Sequence, residues 1–549
     1  MKTFDIVRRA GALALAALAA WPVAAFTPEH LQTQLNARFK GDRTGACVVA
    51  ALIDKAEVLR ARTCAQARPD GGPGYDSVFE IGSVTKTMTA FLVADLVAQG
   101  KWSLEDPLAR HLPPGTALPQ QGERQILLRD VLTHSSGLPA LPPGFNQRNP
   151  DDPYADLSEQ ALLDALAKVR LSRPIGSQFE YSNFAMMLLS LAVARSHGSD
   201  FEDALTRRLF VPLKMDGAFV ERPRQPRPRA RGHLPSGQPT SDWHIANNLA
   251  GVGMVRASLD DMVLYAQAQL GRAEPALRAS LERTQQRLQG QQGMSWGLLA
   301  LKGHELVAHE GGTGGFSSLV ALEPKTQRAV VILTDTSLAD LGGLSDLGHA
   351  LLGVEAAPLR PRRPATPSAE LLAAMPGDYE LGALNARIWR DGQLLMAQAE
   401  GQPAFELKYD SAGDFYPEAF SALLTPQWRQ GRIDRAVWRQ GGGVLEVTRK
   451  GTHTAATASN PRWKDLAGEY VLMPRFTLRV FEDAGVLKVQ GTGQPAIAAE
   501  LTEAGTLEVK AVGAIIEFRR DAGGRVVSAL LKQGGQSLEG KRKPSPAGE

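Results

Sequence analysis

The stretch FEIGSVTKTMTAFLVADLVAQG, Phe79 to Gly100, places Ser83 three residues before Lys86. A hydroxyl becomes a nucleophile when a neighbouring base takes its proton, and a lysine held away from water can be that base. Met88, Leu92 and Leu96 share one helical face and Gly100 supplies a stop, so the spacing predicts a helix ending there. Ser83 and Lys86 then face each other on the first turn. Exposed N–H groups and the positive end of the helix dipole at that turn suit a developing oxyanion. The same pair also reads as a helix cap beside a solvated lysine, so Ser-x-x-Lys alone decides nothing.

Two further segments carry residues of matching chemistry. FEYSN places Tyr181 and Asn183 immediately before a strongly apolar helix. A phenol there could relay protons and a carboxamide could hold an amide carbonyl; the alternatives are a core aromatic and a helix cap. Later, LVAHEGGTGGFSSLVALEP runs from a short strand through His309, Gly311, Gly312, Gly314 and Gly315 into another apolar strand. Glycines weaken a strand unless another backbone or a ligand must approach closely, so this segment reads as an edge able to pair with an extended substrate. His309 reads either as a site residue or as a satisfied strand histidine.

These segments need a large frame, and 549 residues exceed one ordinary domain. Residues 1–25 read as a secretory signal peptide: Lys2, Arg8 and Arg9, an apolar Ala/Leu run, then small residues up to Ala25. The run is shorter than a bilayer requires, and no later stretch is long enough. A formal net charge of +3 on this chain leaves no nucleic-acid footprint. Five arginines among prolines, Arg222 to Arg231, read as a solvated surface loop, with an anion site as the alternative. Cys47 and Cys64 face each other if Lys55 and Ala56 form the hairpin turn between them, which predicts a disulfide in an exported protein. No ligand set for a metal accompanies them, and no cofactor is expected.

Helices and strands alternate to about Gly353; residues 354–367 are Pro-rich and read as a linker, and short alternating strands follow. MPGDYEL at Met375 returns as LAGEYVL at Leu466, GQPAFEL at Gly401 as GQPAIAA at Gly493, and RQGGGVLEVTRK at Arg439 as KQGGQSLEGKRK at Lys532, at offsets of 91, 92 and 93 residues. Two successive β domains of one type are expected, 368–451 and 462–543, each a small barrel whose closure removes exposed edges.

In order and wording, GSVTK, LRDVLTHSSGLP, FEYSN, VPLKM, GVGMVRASLDDM and HEGGTGGFSS resemble the penicillin-recognising serine hydrolases: class C β-lactamases, D,D-peptidases, D-aminopeptidases and related esterases. The resemblance implies an α+β catalytic domain over 26–353, an antiparallel sheet with flanking helices plus an all-α region. It implies Ser83 as the acylated nucleophile, Lys86 as its proton-transfer partner and Tyr181 as general base or relay. Asn183 would bind the substrate amide, the N–H groups of Ser83 and Gly312 would form the oxyanion hole, and Gly311 would be the glycine of a Lys-Thr-Gly-type strand. His309 replaces that strand's usual lysine, and a neutral imidazole donor there would recognise a carboxylate less strongly. His134, in the LTHSSGLP turn, reads as structural. The expected function is an exported, periplasmic or secreted, hydrolase of D-amino-acid peptides, peptidoglycan stems among them, of D,D-carboxypeptidase or D-aminopeptidase type. β-Lactamase or esterase activity is the alternative within the family, and a slowly acylating penicillin-binding sensor or scaffold the alternative outside it.

Overall fold

Eight consecutive residues, Cys47–Asp54, form β1, and its unbroken apolar run follows from burial on both faces. Val49, Ala51 and Ile53 face one hydrophobic core while Val48, Ala50 and Leu52 face another. β1 pairs with β2 (Glu57–Cys64) about a Lys55–Ala56 turn in the expected register, Asp54 opposite Glu57 and Cys47 opposite Cys64. The cysteines form a disulfide across a separation of 17 residues, a constraint worth about 3 kcal/mol in the chain-entropy account.

The computed structural model describes residues 27–543 except 146–148, 150, 172, 355–357, 382–383, 430–431, 441–442, 451–464, 474–475, 484–485, 492–496, 503–504, 510–513, 522 and 534–535. The predicted signal peptide lies outside the described residues. No helix among them is long and apolar enough to cross a membrane.

A short ribbon joins β3 (Val78–Glu80) to β4 (Arg256–Ser258). β5 (Gly297–Leu301), β6 (His304–Gly312), β7 (Ser317–Glu323) and β8 (Arg328–Thr334) complete a six-stranded antiparallel sheet in the order β2-β1-β8-β7-β6-β5. Helices α1 (Pro28–Phe39) and, at the end of this region, Ser345–Leu351 cover one face. On the other lies the larger core, built on α2 (Thr85–Ala98), whose residues Thr85 to Leu96 are all buried. An all-α region surrounds α2: α3 (Leu128–Leu132), α4 (Glu159–Ala167) and α5 (Asn183–His197).

Part of the arginine-rich segment is paired locally. Arg222 pairs with Asp200 and Glu202, and Arg229 with Asp242.

Most of the chain up to residue 376 forms one compact unit with 388–427 and 436–446; 377–387, 428–435 and 447 onward form another. The β-rich tail begins with a closed barrel of β9 (Gly377–Leu381), β10 (Leu384–Asp391), β11 (Leu394–Ala399), β12 (Phe405–Tyr409), β13 (Phe415–Tyr416), β14 (Leu423–Arg429), β15 (Arg432–Gln440) and β16 (Gly443–Arg449). A nine-stranded sheet follows, Gly468 to Arg542. Its two edge strands, Ile497–Ala498 and Glu500–Leu501, are separated in sequence only by Ala499, so the sheet curls back nearly to closure. The repeat has a physical counterpart in the second unit. Tyr379 and Tyr470 are each fully buried, Arg449 lies over Tyr379, and Arg542 crowds Gly468 as Arg449 crowds Gly377.

The segment read as a linker is anchored at 362–365. Arg362 N–H donates to Asp42, Arg43 N–H to the Arg362 carbonyl, and Ala365 N–H to the Tyr409 carbonyl.

Candidate active site

Ser83 sits in a single 3-10 turn, Gly82–Val84, between β3 and α2. Gly82 has φ 50°, and a Cβ there would lie 2.5 Å from Gly312 N, so only glycine lets this turn approach β6. One turn on, Lys86 is 0% exposed. Its Nζ lies 2.8 Å from Ser83 Oγ and donates to the Val252 carbonyl at 2.6 Å. That carbonyl is fixed by its neighbour: Gly251 N–H donates to Ser190 Oγ (2.9 Å), and Gly251 O accepts from Thr89 Oγ1 (2.8 Å). A Cβ on Gly251 would lie 2.7 Å from both hydroxyls, which accounts for the glycine in GVGM. Lys86 makes no ion pair among the described residues, and burial drives its amine well below the ordinary lysine range. Burial thus favours the uncharged amine, which is in contact with a hydroxyl.

Tyr181 lies beyond Ser83, with its phenol hydrogen-bonded to that residue and its ring 4.8 Å from Lys86 Nζ. Burial raises the phenol's pKa, so it holds its proton. Ser182, not Asn183, caps α5, accepting from Ala185 N–H at 3.0 Å. Asn183 is the first residue of that helix; its Oδ1 is buried without a protein partner, and the Tyr154 phenol lies beside its amide. His134, set aside on sequence as structural, is in contact with this group. Its ring lies tilted against Tyr181 with centroids 4.4 Å apart, and its Nδ1 accepts from Ser182 N–H at 3.2 Å, which leaves the proton on Nε2. Burial, with Lys86 and His309 nearby, holds its pKa down to about 3.

His309 closes the group from β6. Its Nδ1 lies 2.6 Å from the Glu310 carbonyl, which can only accept, so the single N–H of the neutral ring is engaged there. Nε2 is left as an acceptor, reversing the donor role expected from sequence. Burial and Lys86 lower its pKa to about 4. Gly311 passes under the Ser83 turn: a Cβ there would lie 2.0 Å from the Ile81 carbonyl oxygen. β5 pairs with β6 only as far as Gly297 opposite Ala308, so His309 to Gly312 have no β5 partner and can meet an extended ligand, as the glycines suggested.

Ser83, Tyr181, His309, Gly311 and Gly312 line one cavity of about 370 Å³, with Lys86 beneath Ser83. A beta-lactamase family profile matches residues 33–350, more than half of the chain. The chain belongs to the beta-lactamase family. It is a serine hydrolase by that membership. Among its relatives, D-alanyl-D-alanine-carboxypeptidase/endopeptidase AmpH of Escherichia coli K12 is 28% identical over 331 residues, covering 55% of this chain and 83% of the relative. Penicillin-binding protein 4 of Amycolatopsis lactamdurans is 28% identical over 330 residues, 56% of this chain and 85% of its own length. In fold it resembles the beta-lactamase/D-alanine carboxypeptidase of Pseudomonas syringae, with a TM-score of 0.50 at 21% identity over 59% of this chain and 98% of that one.

Within this family site, Asn183 stands outside the cavity-lining set, and Cys47 and Cys64 lie elsewhere, at the end of the β1–β2 hairpin. Sequence reading missed Phe179, Ala339 and Gly343, which also line the cavity. No spacing signals them. Only Phe179 offers a hint, since a large aromatic two residues before Tyr181 is 57% exposed.

Proposed function

We propose that the protein is an exported serine hydrolase that acylates Ser83 and acts on peptides containing D-amino acids, of D,D-carboxypeptidase or D-aminopeptidase type. The observation that carries this reading is the buried Lys86 amine, unpaired with any carboxylate among the described residues and 2.8 Å from Ser83 Oγ. Neutral Lys86 takes the Ser83 proton as Oγ bonds to the substrate carbonyl carbon. The resulting oxyanion accepts from the backbone N–H groups of Ser83 and Gly312. The proton then passes from the Lys86 ammonium through the Tyr181 phenol to the leaving nitrogen; the C–N bond breaks, and the acyl group stays on Ser83. Water repeats the sequence: its proton goes to Lys86, its oxygen bonds to the acyl carbon, and Ser83 departs reprotonated. Asn183 would hold the substrate amide.

The names of the relatives support a D-alanyl peptide or a β-lactam as substrate class. The electrostatics favour an uncharged group beside the scissile bond: both cavity histidines are neutral near pH 7, and no lysine or arginine lines the cavity among the described residues. Product analysis with a D-Ala-D-Ala peptide, a D-aminoacyl amide, a β-lactam and a short ester tests the reading. Turnover of a D-amino-acid substrate through acyl-Ser83 is expected. A β-lactam or ester turned over alone would select the other family activities. A stable acyl adduct with no product would select a sensor, and no acyl-Ser83 with any of the four would overturn the reading.

The His309 pKa of about 4 moves an acid limb expected near 6.5 for an ordinary histidine. Since the ring is protonated only below that value, kcat/KM should show no limb from His309 between about pH 5 and pH 7. A limb near pH 6.5 that disappears in His309→Asn would contradict this.

A further inference from the structure

Ala339 and Gly343 line the cavity, and the segment that joins them is held from two sides. Toward the sheet, Leu338 N–H donates to Ser317 Oγ (2.8 Å), while Leu344 N–H (3.2 Å) and Ser345 Oγ (2.6 Å) donate to Glu310 Oε1. Glu310, Ser317, Ala339 and Gly343 all line the cavity. Nothing catalytic is asked of the other side. There Ser421 Oγ donates to Asp340 Oδ2 at 3.1 Å, and Arg362 Nη2 donates to the Leu341 carbonyl at 3.4 Å.

Those two groups belong to a buried assembly around β12–β14. Asp410 is 0% exposed and accepts from Arg43 Nε (3.0 Å) and Arg362 Nη1 (3.2 Å); Arg362 Nη1 also donates to Asp414 at 2.6 Å. Arg43 stacks 3.4 Å from the Tyr416 ring centre. Tyr416 and Leu423 are buried in the same apolar cluster as Leu338, Leu341 and Leu344. All these residues fall within one compact unit, which includes 388–427 with the catalytic region. A segment held on one side by the Ser421 and Arg362 hydrogen bonds and by packing with Tyr416 and Leu423, and on the other by the sheet, has one arrangement, and removing either support lets it relax.

We propose that the region around β12–β14 shapes the substrate pocket from behind: Ser421, in the loop before β14, and Arg362, paired to Asp410 and Asp414, are positioning residues for the wall Ala339–Gly343. They set the fit of whatever group fills the cavity beyond the reacting carbonyl, while Ser83, Lys86 and Tyr181 perform the chemistry without them. A chain ending at Gly353 would lose Arg362, Tyr416, Ser421 and Leu423 together, exposing Leu338, Leu341 and Leu344.

The inference rests on Ser83 being the acylated nucleophile, so the test uses esters that report both steps on the full-length chain. p-Nitrophenyl acetate and p-nitrophenyl octanoate share a leaving group and differ only in how far the acyl chain extends from the reacting carbonyl. In Ser421→Ala and in Arg362→Met, KM for the octanoate ester should change by about threefold or more, with kcat and all acetate parameters within about twofold of wild type. Ser421→Thr, which keeps the hydroxyl, should restore the octanoate KM. Ser421→Ala removes one half-buried hydroxyl and keeps the test valid if Arg362→Met does not fold. Octanoate and acetate changing by the same factor, or neither changing, would overturn the proposal. Absence of acyl-Ser83 in the wild type would overturn the serine-hydrolase reading beneath it.

Discussion

Replacing Lys86 by methionine should slow acylation of Ser83 by about 10³–10⁴-fold, the scale of losing a positioned general base. The same substitution should alter how folding stability depends on pH. In the folded chain burial lowers the Lys86 pKa well below its ordinary value; in the unfolded chain it returns to about 10.4. Between those two values the unfolded state binds one more proton than the folded state, so stability rises with pH, by about 1.4 kcal/mol per pH unit for one proton. His134 and His309, held to about 3 and about 4, contribute a rise of the same sign, as do the lowered His111, His197 and His349, but these fade above the unfolded histidine value of about 6.5 and are nearly complete by about pH 8. The interval from about pH 8 to pH 9, above the histidines and below the onset of ionisation of the tyrosines that folding raises, therefore reports Lys86 most directly. Urea unfolding across that interval should show a rising midpoint in wild type and a flatter one in Lys86→Met. An equal slope in both would mean that Lys86 is charged in the folded protein and cannot be the base. Ser83→Ala should abolish covalent labelling by an acylating reagent while keeping the wild-type slope, which separates loss of the nucleophile from loss of the base.

What was legible in the sequence followed periodicity and local spacing. Ser83 and Lys86 sit three apart on one turn, and helical geometry brings them together whatever surrounds them. Cys47 and Cys64 were predictable because a two-residue turn fixes a hairpin register, and a single register makes every pair downstream. The repeat was visible because buried residues such as Tyr379 and Tyr470 perform the same packing task in both copies. Contacts made by tertiary packing were less legible. His134 looked structural because a turn motif says nothing about which ring it will pack against, yet its imidazole lies against Tyr181. The donor assigned to His309 failed for a similar reason. Which ring nitrogen keeps the proton is decided by a carbonyl one residue away, and that geometry depends on how β6 bends at its glycines. The Pro-rich stretch read as a linker because composition cannot show that Arg362 has Asp410, Asp414 and Leu341 within reach.

Gly311 and Gly312 look interchangeable in HEGGTGG, but adding one methyl group should separate them. In Gly311→Ala the new Cβ would lie 2.0 Å from the Ile81 carbonyl oxygen and 2.5 Å from Ser318 Oγ, which itself donates to that carbonyl at 2.7 Å. The Ile81 carbonyl cannot yield without moving the chain. Ile81 leads directly into Gly82 and Ser83, and Ser318 is paired opposite Gly311 in the β6–β7 ladder. Overpacking of this kind costs about 1–3 kcal/mol. The more telling loss is positional: pushing β6 away from the Ser83 turn moves Gly312 N–H relative to Ser83, and a shift of about 1 Å at a reacting centre can cost about 10²-fold in rate. In Gly312→Ala, by contrast, the added Cβ meets only Ala339 Cβ and the Phe316 carbonyl oxygen, both at 3.8 Å, and alanine keeps the N–H. Gly312→Ala should therefore retain wild-type stability and an acylation rate within about tenfold of wild type, with any effect falling on KM because the methyl narrows the cavity at Ala339. Thermal unfolding and burst-phase acylation of the two variants compare them directly. Equal losses in both would mean that the close approach of Gly311 to Ile81 does not set the geometry of the oxyanion site, and the case for Gly312 N–H as one of its donors would fall with it.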